Sequence, residues 1–227
     1  AIIQAVSFML GQGSGTLVSK ALAEQNEEEA SQYVSTAFFT GLGIGTVIMI
    51  GGLVFLTPLM RLLGSTETIL PYAKVYGMCV LVTAPIMVGS FVLNNNLRYE
   101  GKAFYAMIGL VTGSIINIVG DYLLVMVFKL GVLGAGLATA ASQLISFCIL
   151  LYFFQKMAQS HIRLRYMSKN VRVYMTISKI GFPAVIRQGL SSVSSGLLNN
   201  LTRPYGDAAI AAMSVVNRFS AFVMCVG

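Results

Sequence analysis

Apolar residues run along this chain in long blocks, and charges fall mostly between the blocks. Residues 1–19 carry no charge before Lys20. Residues 31–60 lie between Glu29 and Arg61, 75–97 between Lys74 and Arg98, and 103–128 between Lys102 and Lys129. Residues 130–155 end at Lys156, residues 173–202 contain Lys179 and Arg187, and residues 208–227 contain Arg218. A hydrocarbon layer about 30 Å thick needs about 20 residues of α-helix to cross it. The pattern therefore predicts seven spanning helices. A barrel would show alternating segments of about ten residues, and the chain has none. The expected fold class is an all-α, polytopic helical bundle whose short loops make neighbours antiparallel. Asn26-Glu27-Glu28-Glu29 has the form of a capping box opening the second span, and its three acids suit the positive end of a helix dipole.

Composition sharpens this reading. Charged residues make up 10% of the chain, against about 25% in soluble domains, too few to cover a water-soluble globule of this size. Hydrophobic residues reach 56%, which excludes disorder. Cys79, Cys148 and Cys225 all sit in apolar runs, so they make no disulfide framework. The net charge of +7 is spread between apolar runs, so it reports topology and not a nucleic-acid partner. Lys20, Arg98, Lys102, Lys156, Arg163, Arg165, Lys169 and Arg172 fall in alternate loops, and only Arg61, Lys74, Lys129 and Arg203 in the others. The loops at 20–30, 98–102 and 156–173 are therefore expected to be cytoplasmic. His161, the only histidine, lies in the last of these and is given no role. No HExxH, nucleophile elbow, Walker A or paired His/Cys spacing occurs, so an enzyme is not expected.

Ala1 and Gly227 both lie inside apolar runs, so the chain is expected to be part of a longer protein. Residues 215–227 lie over residues 1–13 without gaps, matching Phe222 to Phe8 and Gly227 to Gly13. The implied repeat would hold six spans, a device common in transporters. On this reading residues 1–156 are spans 2–6 of a first lobe, 157–173 link the lobes, and 174–227 open a second lobe with spans 7 and 8.

Asp121 is the most informative residue. A carboxylate near a helix centre costs about 2.5–3.5 kcal/mol on insertion scales. Asn117 lies four residues earlier, on the same helix face. Across a tight turn at 129–131, Thr139 sits about ten residues on and Asp121 about eight back, at comparable depth. Gly134-Ala135-Gly136 allows the two helices to approach closely. Asn117, Asp121 and Thr139 together suit a hard monovalent cation such as Na⁺. Asp121 alone suits a proton, because burial moves a carboxyl pKa towards neutrality. The bland alternatives are a structural pairing for Asp121 and a Thr139 hydroxyl bonded to its own helix.

The sixth run carries Arg187, Ser191, Ser195 and Asn199 at every fourth position, with Gln188 and Ser192 beside them. The seventh adds Ser214, Asn217 and Arg218. A polar face at bilayer depth must look into protein or water, so these residues line an aqueous cavity or bond between helices. Pro85 and Pro183 lie inside spans, where each removes a backbone hydrogen bond and permits a hinge.

The order and spacing of these motifs resemble the multidrug and toxic-compound extrusion (MATE) transporters. The resemblance rests on Glu29-Ala30, on Leu97-Arg98-Tyr99-Glu100-Gly101, and on the Gly-Phe-Pro at 181–183. Its strongest part is Asn117-x-x-x-Asp121 followed by Gly131-x-x-Gly134-Ala135-Gly136-Leu137-Ala138-Thr139. It implies two six-helix lobes around a central cavity and a cation site in the first lobe at Asn117, Asp121 and Thr139. It also implies antiport in which Na⁺ or H⁺ enters and an organic, often cationic compound leaves. No cofactor beyond the coupling ion is implied. The expected setting is the plasma membrane, among lipids, as a monomer of the full-length protein, with small organic molecules and no nucleic acid as partners. Two rivals stand beside this reading. One is a lipid-linked oligosaccharide flippase of the same superfamily, which Arg187 and Arg218 favour. The other is a non-transporting receptor or scaffold.

Overall fold

The computed structural model describes residues 2–62, 67–202, 212, 215–217 and 219–220. Residues 2–185 form one compact unit, and residues 186–227 belong to a second. The first six expected runs are helical, and the seventh, 208–227, lies mostly outside the described residues. α1 spans Ile2–Ala23, α2 Glu27–Val54, α3 Leu56–Leu62, α4 Leu70–Val82, α5 Ala84–Tyr99, α6 Ala103–Asp121, α7 Gly131–Met157 and α8 Val171–Thr202. The run at 31–60 thus divides at Phe55, and the run at 75–97 is a pair of helices. α4 and α5 meet at Thr83 with a bend of 47°. Pro85 stands in the first turn of α5, where its missing N–H costs nothing. Pro183 sits inside α8 without ending it.

By length and apolarity α2, α6 with its continuation to Val127, and α7 each suffice to cross a bilayer, and the bent α4–α5 pair is apolar and long enough for a broken span or a re-entrant loop. α1 and α8 are long enough but more polar. Their serines, glutamines and glycines face protein in part: Ser7, Gly11, Gly13 and Ser14 of α1 are buried. Large apolar side chains such as Val47, Ile50, Ile115, Ile118 and Leu144 point outward, as a lipid-facing surface requires. The expected cap also forms. Glu29 N–H donates to Asn26 Oδ1 at 3.1 Å, and Asn26 Nδ2 donates back to Glu29 Oε2 at 3.0 Å.

α5 is the central element, packed against α1, α2, α6 and α7. Val88, Val92, Leu93 and Leu97 on it are fully buried with Val18, Val34, Leu150 and Phe154. Three consecutive amides on the same helix are also buried. Asn94 Nδ2 donates to the Ala106 carbonyl of α6, and Asn96 Nδ2 donates to Ser14 Oγ of α1, both at 3.0 Å.

Glycines set the closest approaches. A Cβ on Gly13 of α1 would strike the Ile177 carbonyl of α8, and one on Gly181 of α8 would strike the Met9 carbonyl of α1. The two backbones therefore touch there. In the hairpin of α6 and α7, Gly109 meets Leu150, Gly113 meets Ser146, and Gly134 meets the Leu124 carbonyl. Gly136 instead receives Cys79 of α4.

Residues 158–170, the basic segment after α7, are fastened along the start of α2. His161 N–H donates to Ser31 Oγ at 3.0 Å, and Ser35 Oγ donates to the His161 carbonyl at 3.1 Å. Arg163 N–H donates to Ser35 Oγ at 3.1 Å, and Ser168 N–H to Thr36 Oγ1 at 3.0 Å. The near end is held by Glu100, whose carboxylate accepts from Gln159 N–H at 2.8 Å and from Ser160 Oγ. Burial raises the Glu100 carboxyl pKa above its ordinary value, against the opposing pull of those hydrogen bonds and of Lys102.

Two outcomes follow. Gly13→Val and Gly181→Val each force α1 and α8 apart and destabilise the full-length protein by about 1–3 kcal/mol. Gly43→Ala, which meets nothing within 4 Å, does not. Denaturation midpoints in detergent distinguish them. A raised carboxyl pKa also means that the folded state holds the Glu100 proton more tightly than the unfolded chain. Stability therefore gains as pH falls towards the ordinary value of 4.5, and melting curves of Glu100→Gln lose that slope.

Candidate functional site

The hairpin of α6 and α7 brings two of the three expected residues, Asn117 and Thr139, into contact. Asn117 Nδ2 donates to Thr139 Oγ1 at 3.4 Å. The same Thr139 hydroxyl donates to the Ala135 carbonyl of its own helix at 3.0 Å. Back-bonding and contact across the hairpin therefore coexist in one hydroxyl, which turns its lone pairs to Asn117.

Asp121 closes α6, one turn beyond Asn117. At Tyr122 the helix widens into a π-helical turn running to Val127. Its bonds reach five and six residues back: Phe128 N–H to the Leu123 carbonyl at 2.9 Å, and Leu130 N–H to the Leu124 carbonyl at 3.0 Å. Lys129 and Gly131 then adopt positive φ of 52° and 58°, which reverses the chain into α7. The sequence reading expected a continuous α-helix to residue 128. The widening arises where α7 starts so close that Gly134 abuts the Leu124 carbonyl. π-helical turns inside α-helices occur disproportionately at functional sites.

Oδ1 of Asp121 is buried and has no hydrogen-bond partner. Such an atom is costly in a medium of low dielectric constant unless a proton or a cation satisfies it. Among the described residues no three His, Cys, Asp or Glu side chains converge. A cation at Asp121 would therefore draw its remaining oxygens from amides and hydroxyls, and Asn117 and Thr139 offer one of each.

Below this pair lies a cavity of about 180 Å³ between α5, α6 and α7. Asn117 and Thr139 form part of its wall, with Ser90, Asn94, Ser114, Ser142, Gln143 and Ser146 as further polar lining. Ser90 is 6% exposed, and its hydroxyl has no partner. Ser146 Oγ donates to the Gly109 carbonyl at 2.9 Å. The sequence reading did not single out these lining residues. Their signal was the spacing of polar positions in apolar helices: Ser90 and Asn94 are four apart, and Thr139, Ser142 and Ser146 share one face.

The polar stripe of α8 belongs to the second unit. Arg187, Ser191 and Ser195 are exposed, Gln188 is half-buried, and Ser192 Oγ donates to the Gln188 carbonyl at 2.9 Å. Asn217 is helical and exposed. The Asn199 side chain, Ser214 and Arg218 lie outside the described residues.

Comparison with known proteins agrees with this architecture. Multidrug export protein MepA from Staphylococcus saprophyticus is 27% identical over 223 residues, covering 98% of this chain and 49% of that protein. MepA from Staphylococcus aureus is 26% identical over the same length. Among solved structures, MATE in the bent conformation superposes with a TM-score of 0.85 at 26% identity, covering 97% of this chain and 50% of that one. A MOP superfamily transporter from Pyrococcus furiosus gives 0.86 at 26%, covering 96% and 49%. The chain thus spans about half the length of the relatives it matches. The family model described as MatE matches residues 1–123, just over half of the chain. Helical architecture, apolar spans and this match agree, and the chain belongs to the MatE family of multi-pass membrane proteins.

Proposed function

We propose that the protein containing this chain exports organic, often cationic compounds by antiport, driven by Na⁺ or H⁺ through Asp121. The observation that carries the reading is the buried, unpartnered Oδ1 of Asp121 one turn from the Asn117–Thr139 hydrogen bond. The relatives named as multidrug export proteins support it. A bound ion shifts a two-state transporter only if it prefers one state. A carboxylate without a partner supplies such a preference, because neutralising it removes a penalty only in the state where it is buried.

The cavity beneath the pair suggests how the fluxes are coupled. Asn117 and Thr139 line that cavity and bond one another, and Asp121 lies one turn beyond Asn117 on α6. A substrate polar group that takes up their hydrogen bonds withdraws them from the ion. Ion and substrate then compete for the same two side chains, as exchange requires. In the full transporter the α8 residues Arg187, Gln188, Ser191, Ser195 and Asn199, with Asn217 and Arg218, would add a polar wall. Pro85 and Pro183 would serve as its hinges. The protein would sit as a monomer in the plasma membrane, with residues 1–156 and 174–227 in separate lobes. Loops 20–30, 98–102 and 156–173 would face the cytoplasm, in keeping with their excess of Lys and Arg.

The test uses the full-length protein in proteoliposomes, with a Na⁺ gradient and a pH gradient imposed separately and a fluorescent cationic drug followed. Drug accumulation should require one gradient, and Asp121→Asn should reduce it about tenfold or more, as loss of a charge-assisted contact would. Thr139→Val should weaken apparent affinity for the driving cation about fivefold, the worth of one neutral hydrogen bond. Unchanged coupled efflux in Asp121→Asn would remove Asp121 from the mechanism. No drug movement under either gradient would favour the flippase reading.

A further inference from the structure

The fastened segment at 158–170 borders an open pocket of about 480 Å³ against the first turns of α2. Its walls carry opposite charges. Glu28 and Glu29 line it from α2, and Arg165 and Lys169 line it from the segment, with Asn26, Gln32 and Ser168 between them. Glu29 is already engaged, accepting from Asn26 Nδ2 at 3.0 Å and from Tyr33 OH at 2.9 Å. Among the described residues Glu28, Arg165 and Lys169 make no ion pair; the one found is Arg61–Glu67, elsewhere. Opposed charges that line one cavity without pairing leave room for a ligand bearing both signs.

The backbone keeps that room open. Bonds from His161, Arg163 and Ser168 to Ser31, Ser35 and Thr36 fix the segment along α2. The pocket lies at the start of α2, a helix long and apolar enough to cross a bilayer, and so at the end of a candidate span. Met167 lines the cavity, and Leu164 next to it is 73% exposed. An amphipathic ligand with a zwitterionic polar end fits such surroundings.

We propose that this cavity seats the headgroup of a bilayer phospholipid carrying a phosphate and a primary ammonium. The phosphate lies at Arg165 and Lys169, where a guanidinium fork and an ammonium both suit it. The lipid ammonium donates to Glu28. A headgroup without a cation meets the repulsion of Glu28 and Glu29, and a trimethylammonium has no N–H to donate. Acyl chains continue over Leu164. The inference rests on membrane placement and the fastened segment, and it stands or falls independently of Asp121.

The experiment places the full-length protein in nanodiscs of equal phosphatidylethanolamine and phosphatidylglycerol, then counts lipids that stay bound after detergent extraction by mass spectrometry. Wild type should retain phosphatidylethanolamine about fivefold over its share, from surface-charge contacts of ordinary strength. Glu28→Gln should shift retention towards phosphatidylglycerol, and Arg165→Gln with Lys169→Gln should lose both lipids. All three sites are exposed, so the variants should fold, and drug efflux serves as an independent check. Retention at the bulk ratio in wild type, or an unchanged ratio in Glu28→Gln, would overturn the proposal.

Discussion

Hydrocarbon offers no water to a polar group, so every buried donor and acceptor must find its partner within the protein. This chain meets the constraint largely by close helix approach. Ser146 reaches the Gly109 carbonyl, Asn94 the Ala106 carbonyl, and Asn96 the Ser14 hydroxyl, each across a helix pair. Glycines make such reach possible. A side chain at Gly109, Gly113 or Gly13 would push the neighbouring helix away and strand those groups. Helix packing and polar satisfaction are therefore one problem with one solution. The buried atoms left without partners stand out against it, and Asp121 Oδ1 is the one that bears a carboxylate charge.

The site follows from this contrast. Asn117 and Thr139 satisfy one another across the hairpin, and Asp121 lies at the transition from α-helix to π-helix. The cavity below them is polar on three helices although each helix is mostly apolar. A small number of hydroxyls and amides, converging from α5, α6 and α7, makes a polar compartment inside an apolar bundle. The serines there face one gap even where, as at Ser114 and Ser142, the hydroxyl bonds its own helix.

The segment after α7 shows the same economy outside the hydrocarbon. It has no regular structure beyond the short turn at Leu164–Tyr166, and its backbone groups would otherwise look to water. Ser31, Ser35 and Thr36 lie on one face of α2 and meet them instead. A stretch that reads as a basic linker is thereby bound along α2.

Helical class, helix order, the cap at Asn26 and the pairing of Asn117 with Thr139 were legible in the residues. Each depends on local chemistry or on a spacing that a helix converts directly into geometry. Pro85 marked the division of the run at 75–97, but the break at Phe55 and the π-helical turn after Asp121 were not legible in the same way. A length of apolar sequence does not specify where a helix must yield to its neighbours. Asn94 was hidden for a related reason, since its partner lies on another helix. The fastening of residues 158–170 depends on α2, more than a hundred residues away in the chain. The sequence by itself determined what must be buried and which faces share it. Only the tertiary structure decided which polar atoms meet, because that depends on interhelical distances set by glycines on different helices.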